Sequence, residues 1–327
     1  MRILIVSRYK NNFANHILPF VLEQGESLRK QGDAVEYFLI KGNGFASYFL
    51  CIGDLKRKIK SFQPDIVHAH YGLSGMAAVM QNKTPVVITF HNGEILSKFV
   101  NLITSFFSLR AKHVIYVAKH IYDLCYLKAK NYSILPCGVD LDDCEIIDQN
   151  VAREKLHFDA DKKYVLFGGA FNNVRKNYSL LKEAVSLMGN KDKIVCLEMK
   201  GLSRAECVLR MCACDVFVLP TKSEGSPQAL KEAMACNCPI VATDVADIKY
   251  LLGNEQGHYL ITNKSDDTSK WRGDDNSPRE LANRLQLAIE YNNRTNGRSR
   301  IKSLGLDNKH VAKKLNEIYM SVMMNKE

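Results

Sequence analysis

Across its 327 residues the sequence has no apolar run that approaches the roughly 18 residues needed to span a bilayer. The apolar start Met1-Arg2-Ile3-Leu4-Ile5-Val6 is too short for the core of a signal peptide. The expected location is therefore the cytoplasm. Ten cysteines are present, but they stand singly or as Cys212-Ala213-Cys214 and Cys236-Asn237-Cys238, with no C-x-x-C pair and no zinc-type spacing. They are expected to be reduced, mostly buried and apolar in behaviour, neither disulfides nor metal ligands. Short repeats and low-complexity segments are absent as well. A glycine-rich turn is also missing after the first strand-like run, where Ser7-Arg8-Tyr9-Lys10-Asn11-Asn12 stands instead. Without it, a dinucleotide-dependent oxidoreductase has no fingerprint. Gly42-Asn43-Gly44 lacks a third glycine at the required offset and reads as a turn.

What is present describes a soluble globular protein: 46% hydrophobic and 24% charged residues rule out a disordered or fibrous chain. The length suggests two domains. Lys plus Arg number 45 against 35 Asp plus Glu, a formal net charge of +10. Such a surface attracts acidic partners, whether nucleic acid, anionic lipid or phosphorylated small molecules, and charge alone does not choose among them.

Runs rich in β-branched and aromatic residues recur at 2–7, 36–40, 65–68, 85–90, 113–117, 164–168, 194–198, 215–219 and 239–243. Continuous rather than alternating apolarity marks them as buried parallel strands. Helical spacing fills the intervals, as at 13–31, 178–188 and 227–236. Alternation of this kind predicts a doubly wound α/β architecture. The series occurs twice, broken by a polar stretch at 140–160 carrying Asp140, Asp142, Asp143, Glu145, Asp148, Asp159 and Asp161. This places the linker there and gives domains of 1–148 and 149–306. A last helix, at about 307–323 within the terminal stretch 307–327, belongs either with the second domain or, folding back, with the first.

Histidines collect at strand ends in the first half, where open parallel sheets bind ligands. His70 and His91 are read either as facing the cleft or as structural, and His68, inside its strand, as structural. The most informative stretch runs from Asp215 to Ala235: a strand ending at Pro220, a polar loop turning at Gly225-Ser226, and a helix with Pro227 in its first turn. Amides at such a helix start suit a phosphate or a sugar hydroxyl. Glu224 in the loop and Glu232 in the helix read either as acceptors for sugar hydroxyls in one cleft, or as a helix cap and a solvated helix residue.

The spacing of Glu224 and Glu232, E-x7-E, is followed by Ala233-Met234-Ala235 and Pro239-Ile240-Val241-Ala242-Thr243. Together with Asp65–Gly72, Thr89–Glu94, Leu135-Pro136-Cys137-Gly138-Val139-Asp140 and Lys176-Asn177, it resembles the retaining glycosyltransferases of family 4. The resemblance implies a GT-B fold, two Rossmann-like domains facing across a cleft, with the acceptor on the first and a nucleotide sugar on the second. It implies that Glu232 holds the ribose hydroxyls and Glu224 the transferred sugar, that Gly225, Ser226 and Pro227 line the donor, that Lys176 meets the diphosphate, and that His91 sits at the reacting centre. It further implies front-face transfer in which the leaving diphosphate helps deprotonate the acceptor, with no enzymic nucleophile, no cofactor and no metal.

Two departures stand out. Acceptor-side contacts fall to Arg8, Lys10 or Asn12 in place of the missing glycine turn, with His70 and Asn92 nearby. Ala170 stands where the family carries an arginine, so Arg175 either replaces that group or faces solvent. The reading is therefore a transferase acting from a nucleotide sugar on a glycan or lipid-linked glycan in surface polysaccharide synthesis, with no nucleic-acid partner. A catalytically silent nucleotide- or glycan-binding protein, or a GT-B epimerase or phosphorylase, are the alternatives. Residues 99–110 and the run Lys56-Arg57-Lys58-Ile59-Lys60 read either as contacts with an anionic membrane, which would make the protein peripheral at its inner face, or as a buried helix and a solvated basic face.

Overall fold

The computed structural model describes residues 1–11, 14–95 and 97–324. Its strands form two sheets in which every neighbouring pair is parallel. The first contains β1 (Arg2–Arg8), β2 (Ala34–Ile40), β3 (Ile66–His70), β4 (Val86–Phe90), β5 (His113–Tyr116) and β6 (Tyr132–Ile134), in the order β2-β1-β3-β4-β5-β6. The second contains β7 (Lys163–Phe167), β8 (Ile194–Glu198), β9 (Val216–Leu219), β10 (Ile240–Thr243) and β11 (His258–Ile261), in the order β11-β10-β9-β7-β8. All nine runs read from the sequence are strands. The two unforeseen ones, β6 and β11, are short edge strands with little buried surface, so they lack the continuous apolar run that marks a central parallel strand.

The chain divides into one compact unit of Met1–Gly138 with Asn308–Glu327 and a second of Val139–Asp307. The division thus falls after Gly138 rather than after 148. The acidic residues that suggested a linker are local: the Asp140 carboxylate takes the amides of Asp142 and Asp143 at 3.0 and 3.3 Å. The backbone beneath them is bound to the second unit. Arg298 donates to the carbonyls of Leu141 and Cys144 at 2.8 and 2.6 Å, and Val139 N donates to Leu306 O at 2.9 Å.

The last helix, Asn308–Met324, packs on the first unit. Its Val311, Leu315, Tyr319 and Val322 join Ile3, Ile5, Val21 and Leu28 in one core. Polar ties fix its register: Ser27 Oγ donates to Asn308 O and Asn316 Nδ2 to Asp33 Oδ2, both at 2.9 Å. At about 1.5–3 kcal/mol per fully buried large apolar side chain, this helix is part of the first unit's stability although it is last in sequence.

Arg298 also donates to Ala235 O at 3.1 Å, so Arg298→Met would strand three carbonyls. At about 1–3 kcal/mol for each buried group left unpaired, the second unit should lose roughly 3 kcal/mol or more. Amide exchange should rise most over residues 139–148; unchanged protection there would show that this arginine does not anchor the segment.

Candidate functional site

In a doubly wound sheet the loops leaving the strands on either side of the order reversal run apart, which opens a crevice at their carboxyl ends. In the second unit that point lies between β7 and β9. The loop after β7 carries Lys176 and the loop after β9 carries Glu224. Glu224 is 6% exposed, and its Oε1 accepts from Lys176 Nζ at 2.7 Å and from Thr221 Oγ1 at 2.9 Å. Thr221 is itself pinned by the Thr243 hydroxyl, which donates to its carbonyl at 2.7 Å. Gly169 makes room for the lysine stem, because a Cβ there would stand 2.9 Å from Lys176 Cγ. Glu224 is therefore a buried, ion-paired acceptor. Arg175 is exposed, and its carbonyl accepts from Lys222 N at 2.8 Å, so its backbone secures the loop.

Gly225 and Ser226 are half-buried, and the following helix is Gln228–Ala235, one residue later than read, with Pro227 as its flanking N-cap. Glu232 lies on this helix and is buried rather than solvated. Its Oε1 meets Arg204 Nη1 at 2.8 Å. Burial pushes the Glu232 carboxyl up from its ordinary range, while the charges of Arg204 and Lys231 pull against that. Lys231 is fully buried. Asp247, just before the helix Ile248–Leu252, is pushed up to about 6 by burial, with the Ser226 hydroxyl and the Lys231 charge opposing.

Arg204, Lys231 and Asp247 escaped the sequence reading. Arg204 had a usable signal: Ser203 and Glu206 form a capping box that fixes the start of the helix Arg204–Ala213. A lysine next to a glutamate on a helix gives none, since the pair normally means a solvated face.

In the first unit, three histidine rings stack at the carboxyl ends of β3 and β4, with centroids 4.6 Å apart for His68–His70 and 5.3 Å for His70–His91. His68 is satisfied by the Tyr319 hydroxyl at 2.6 Å and Thr89 Oγ1 at 2.7 Å, which agrees with a structural role. His70 is fully buried, and its Nδ1 lies 3.1 Å from His91 Nε2. Burial lowers His70 to about 3, so it stays neutral at physiological pH. His91 packs between Phe20 and Tyr71, at centroid distances of 4.9 and 4.6 Å.

Tyr71 has φ 71° and ψ 143°, a sparsely populated positive-φ conformation that costs a side-chain-bearing residue about 1–3 kcal/mol. Its amide bond to Thr89 O at 2.9 Å helps hold it there. Beside it, a Cβ on Gly72 would fall 2.5 Å from Thr104 Cβ. The buried Glu94 then closes the turn, accepting from the amides of Gly72, Asn92 and His91 at 2.8, 3.0 and 3.2 Å. Asn92 is thus a buried residue of the same turn. Arg8 is tied to Ser47 Oγ at 2.6 Å and to Gly42 O. Lys10 is exposed, and Asn12 lies outside the described residues. Among the described residues no group of three or more His, Cys, Asp or Glu is arranged to hold a metal ion, and no helix is long and apolar enough to cross a membrane.

The raised carboxyl of Asp247 gives a signed pH effect. With a folded value of about 6 against about 3.9 when unfolded, the folded chain binds this proton more tightly, so the benefit is present at low pH and is lost as pH rises through 6. The unfolding free energy of the parent, taken relative to Asp247→Asn, should fall between about pH 4 and 6.5 and then level off. A flat difference would contradict the burial of this carboxylate.

Two family models match the chain, Glycosyltransferase Family 4 over residues 14–143 and Glycosyl transferases group 1 over residues 201–271. A Bacillus subtilis protein described as a teichuronic acid biosynthesis glycosyltransferase, TuaC, is 26% identical over 240 residues, covering 64% of this chain and 60% of that relative's own length. Sucrose-phosphate synthase from Thermosynechococcus elongatus superposes with a TM-score of 0.80 at 17% identity, covering 99% of both chains. Anabaena HepE in complex with UDP and glucose superposes at 0.74 with 14% identity, covering 98% of this chain and all of its own. A glycosyltransferase model is thus matched in each of the two units, and along its length the chain has the GT-B fold of the glycosyltransferases it is similar to.

Proposed function

We propose that this protein is a retaining hexosyltransferase that moves a sugar from a nucleoside diphosphate to a hydroxyl of a glycan or lipid-linked glycan in surface polysaccharide synthesis, without a metal or cofactor. One observation carries the reading. At the carboxyl ends of the second sheet two buried carboxylates, Glu224 and Glu232, are each held by a cation, Lys176 and Arg204. A nucleotide sugar offers hydroxyls to such carboxylates and phosphates to such cations. The complexes of HepE with UDP and with UDP-glucose support that ligand class, and the name of the Bacillus relative supports polysaccharide synthesis.

In this reading Glu232 accepts from the ribose hydroxyls, and Glu224 accepts from a hydroxyl of the transferred sugar. Lys176 turns from Glu224 towards the diphosphate, with Gly225 and Ser226 amides beside it, and Arg175 gives a second charge. As the bond from the anomeric carbon to the β-phosphate oxygen breaks, the acceptor oxygen bonds to the same face of that carbon. The acceptor's proton passes to the departing phosphate oxygen. The protein's share is positioning and charge stabilisation. His91 takes part at the reacting centre, and its contacts with Phe20, Tyr71 and His70 fix its ring.

Glu232→Ala should weaken nucleoside diphosphate binding by about tenfold to a hundredfold, the worth of a lost charged hydrogen bond at roughly 1.5–3 kcal/mol. Titration calorimetry with uridine, guanosine and adenosine diphosphates checks this; unchanged affinity rejects the ribose assignment. Lys176→Met should lower turnover at saturating donor more than it lowers affinity, because the phosphate charge grows as the bond breaks. Full turnover in that variant, or a product with inverted anomeric configuration by NMR, rules out the mechanism.

A further inference from the structure

The helix Lys98–Ser108 in the first unit is turned inside out. Its buried residues are Asn101, Thr104, Ser105 and Ser108, while Phe99, Leu102 and Phe106 are 64%, 52% and 58% exposed. The inward polarity has a structural cause. Asn101 donates to Leu124 O at 2.8 Å and accepts from Tyr126 N at 3.2 Å, and Thr104 lies against Gly72, where only a small contact fits. The outward apolarity has no such cause. Phe99, Leu102 and Phe106 follow helical spacing, so they share one face. That face continues onto the segment after β2: Phe45 lies 6.3 Å from Phe99 and 5.4 Å from Phe49, ring centre to ring centre, and Leu50 is 80% exposed. A contiguous exposed strip of this kind marks a binding surface, not ordinary surface scatter.

A cationic cavity of about 650 Å³ adjoins the strip, lined by Arg8, Tyr9, Lys10, Lys41 and Asn43. A second cavity shares Lys41, Gly42 and Asn43 with it and is floored by Phe38, Ala46 and Leu50. The path from charge to apolar surface is therefore continuous. Arg8 is committed to Ser47 and Gly42 and shapes the cavity wall. Lys41 lies over the Tyr9 ring at 5.4 Å. Among the described residues neither Lys10 nor Lys41 forms an ion pair.

We propose that this cavity and strip form one site for an anionic amphiphile, a lipid-linked phosphate whose head meets Lys10 and Lys41 and whose hydrocarbon chain lies along Leu50, Phe49, Phe45 and Phe99. Taking that amphiphile as the sugar acceptor rests on the transfer reaction proposed above. The geometry selects head and tail together. The cavity alone suits any soluble phosphate, and the strip alone suits any apolar chain. Their continuity calls for both in one molecule, because burying methylenes and pairing charge then add to the same binding event.

The test uses three probes below their micellar concentrations: dodecyl phosphate with head and tail, inorganic phosphate with head only, and dodecyl maltoside with tail and no charge. Dodecyl phosphate should bind at least about a hundredfold more tightly than inorganic phosphate, since each buried methylene counts, and about tenfold or more over dodecyl maltoside, the effect of a lost charged contact. Lys10→Gln with Lys41→Gln should bring dodecyl phosphate down to the maltoside level. Phe49→Ser with Phe99→Ser should bring it down to the phosphate level. Both pairs change exposed side chains, and circular dichroism with thermal unfolding confirms that the fold is kept. Equal binding of inorganic and dodecyl phosphate would make this a soluble-anion site, and equal binding of both amphiphiles would make it unselective apolar surface; either result overturns the proposal. Nucleoside diphosphate is titrated in parallel. If it binds and dodecyl phosphate does not, only this inference fails; in the reverse case the proposed transfer fails while the amphiphile site stands.

Discussion

A charge taken out of water must find its opposite, and the second unit is organised around that requirement. Glu224 and Glu232 are both buried, the carboxylate oxygens of the half-buried Asp247 are shielded from solvent, and the fully buried Lys231 lies close to Glu232 and Asp247. Removing a lone carboxylate from water costs several kcal/mol. Here Lys176 and Arg204 meet two of the carboxylates at 2.7 and 2.8 Å. Replacing buried ion pairs with well-packed apolar residues is often neutral or stabilising, so stability alone does not account for such a cluster. A ligand with hydroxyls and phosphates can exchange with these partners, because it brings donors for the carboxylates and negative charge for the cations.

The fold sets up this arrangement through close backbone approach. Parallel strands deliver their loops at one end, and Gly169 lets the lysine stem cross the end of β7 towards Glu224. The first unit does the same with Tyr71-Gly72: one residue in a strained conformation and one without a side chain let Glu94 bind three amides and fix the turn that carries His91 and Asn92. Strain at Tyr71 survives because its amide, its ring and the turn beyond it are all engaged.

Much of this was legible in the sequence. Nine of the eleven strands are legible, the seven central ones because a parallel strand covered on both faces must be apolar throughout and the edge strands β2 and β8 because they too are rich in β-branched, aromatic and other apolar residues. The motif singles out Glu224, Glu232 and Lys176, and the placement of the loops that carry Lys176 and Glu224 beside β7 and β9 follows from strand order. Other features left no local trace. The boundary at Gly138 depends on Arg298, more than 150 residues away, binding carbonyls under an acidic surface. The pairing of Arg204 with Glu232 joins residues 28 apart in sequence on two different helices. The inverted helix Lys98–Ser108 has the composition of a buried one, and only packing shows that its aromatic side faces out.

The central claim is that the paired carboxylates and cations of the second unit form a nucleotide-sugar site, and the structure of the protein crystallised with a nucleoside diphosphate sugar tests it most directly. The account predicts ribose hydroxyls within about 3 Å of the Glu232 carboxylate, the diphosphate against Lys176 and the Gly225–Ser226 amides, and the Lys176–Glu224 contact of 2.7 Å opened so that Glu224 meets the sugar. A nucleotide bound elsewhere, with both ion pairs intact, would contradict it.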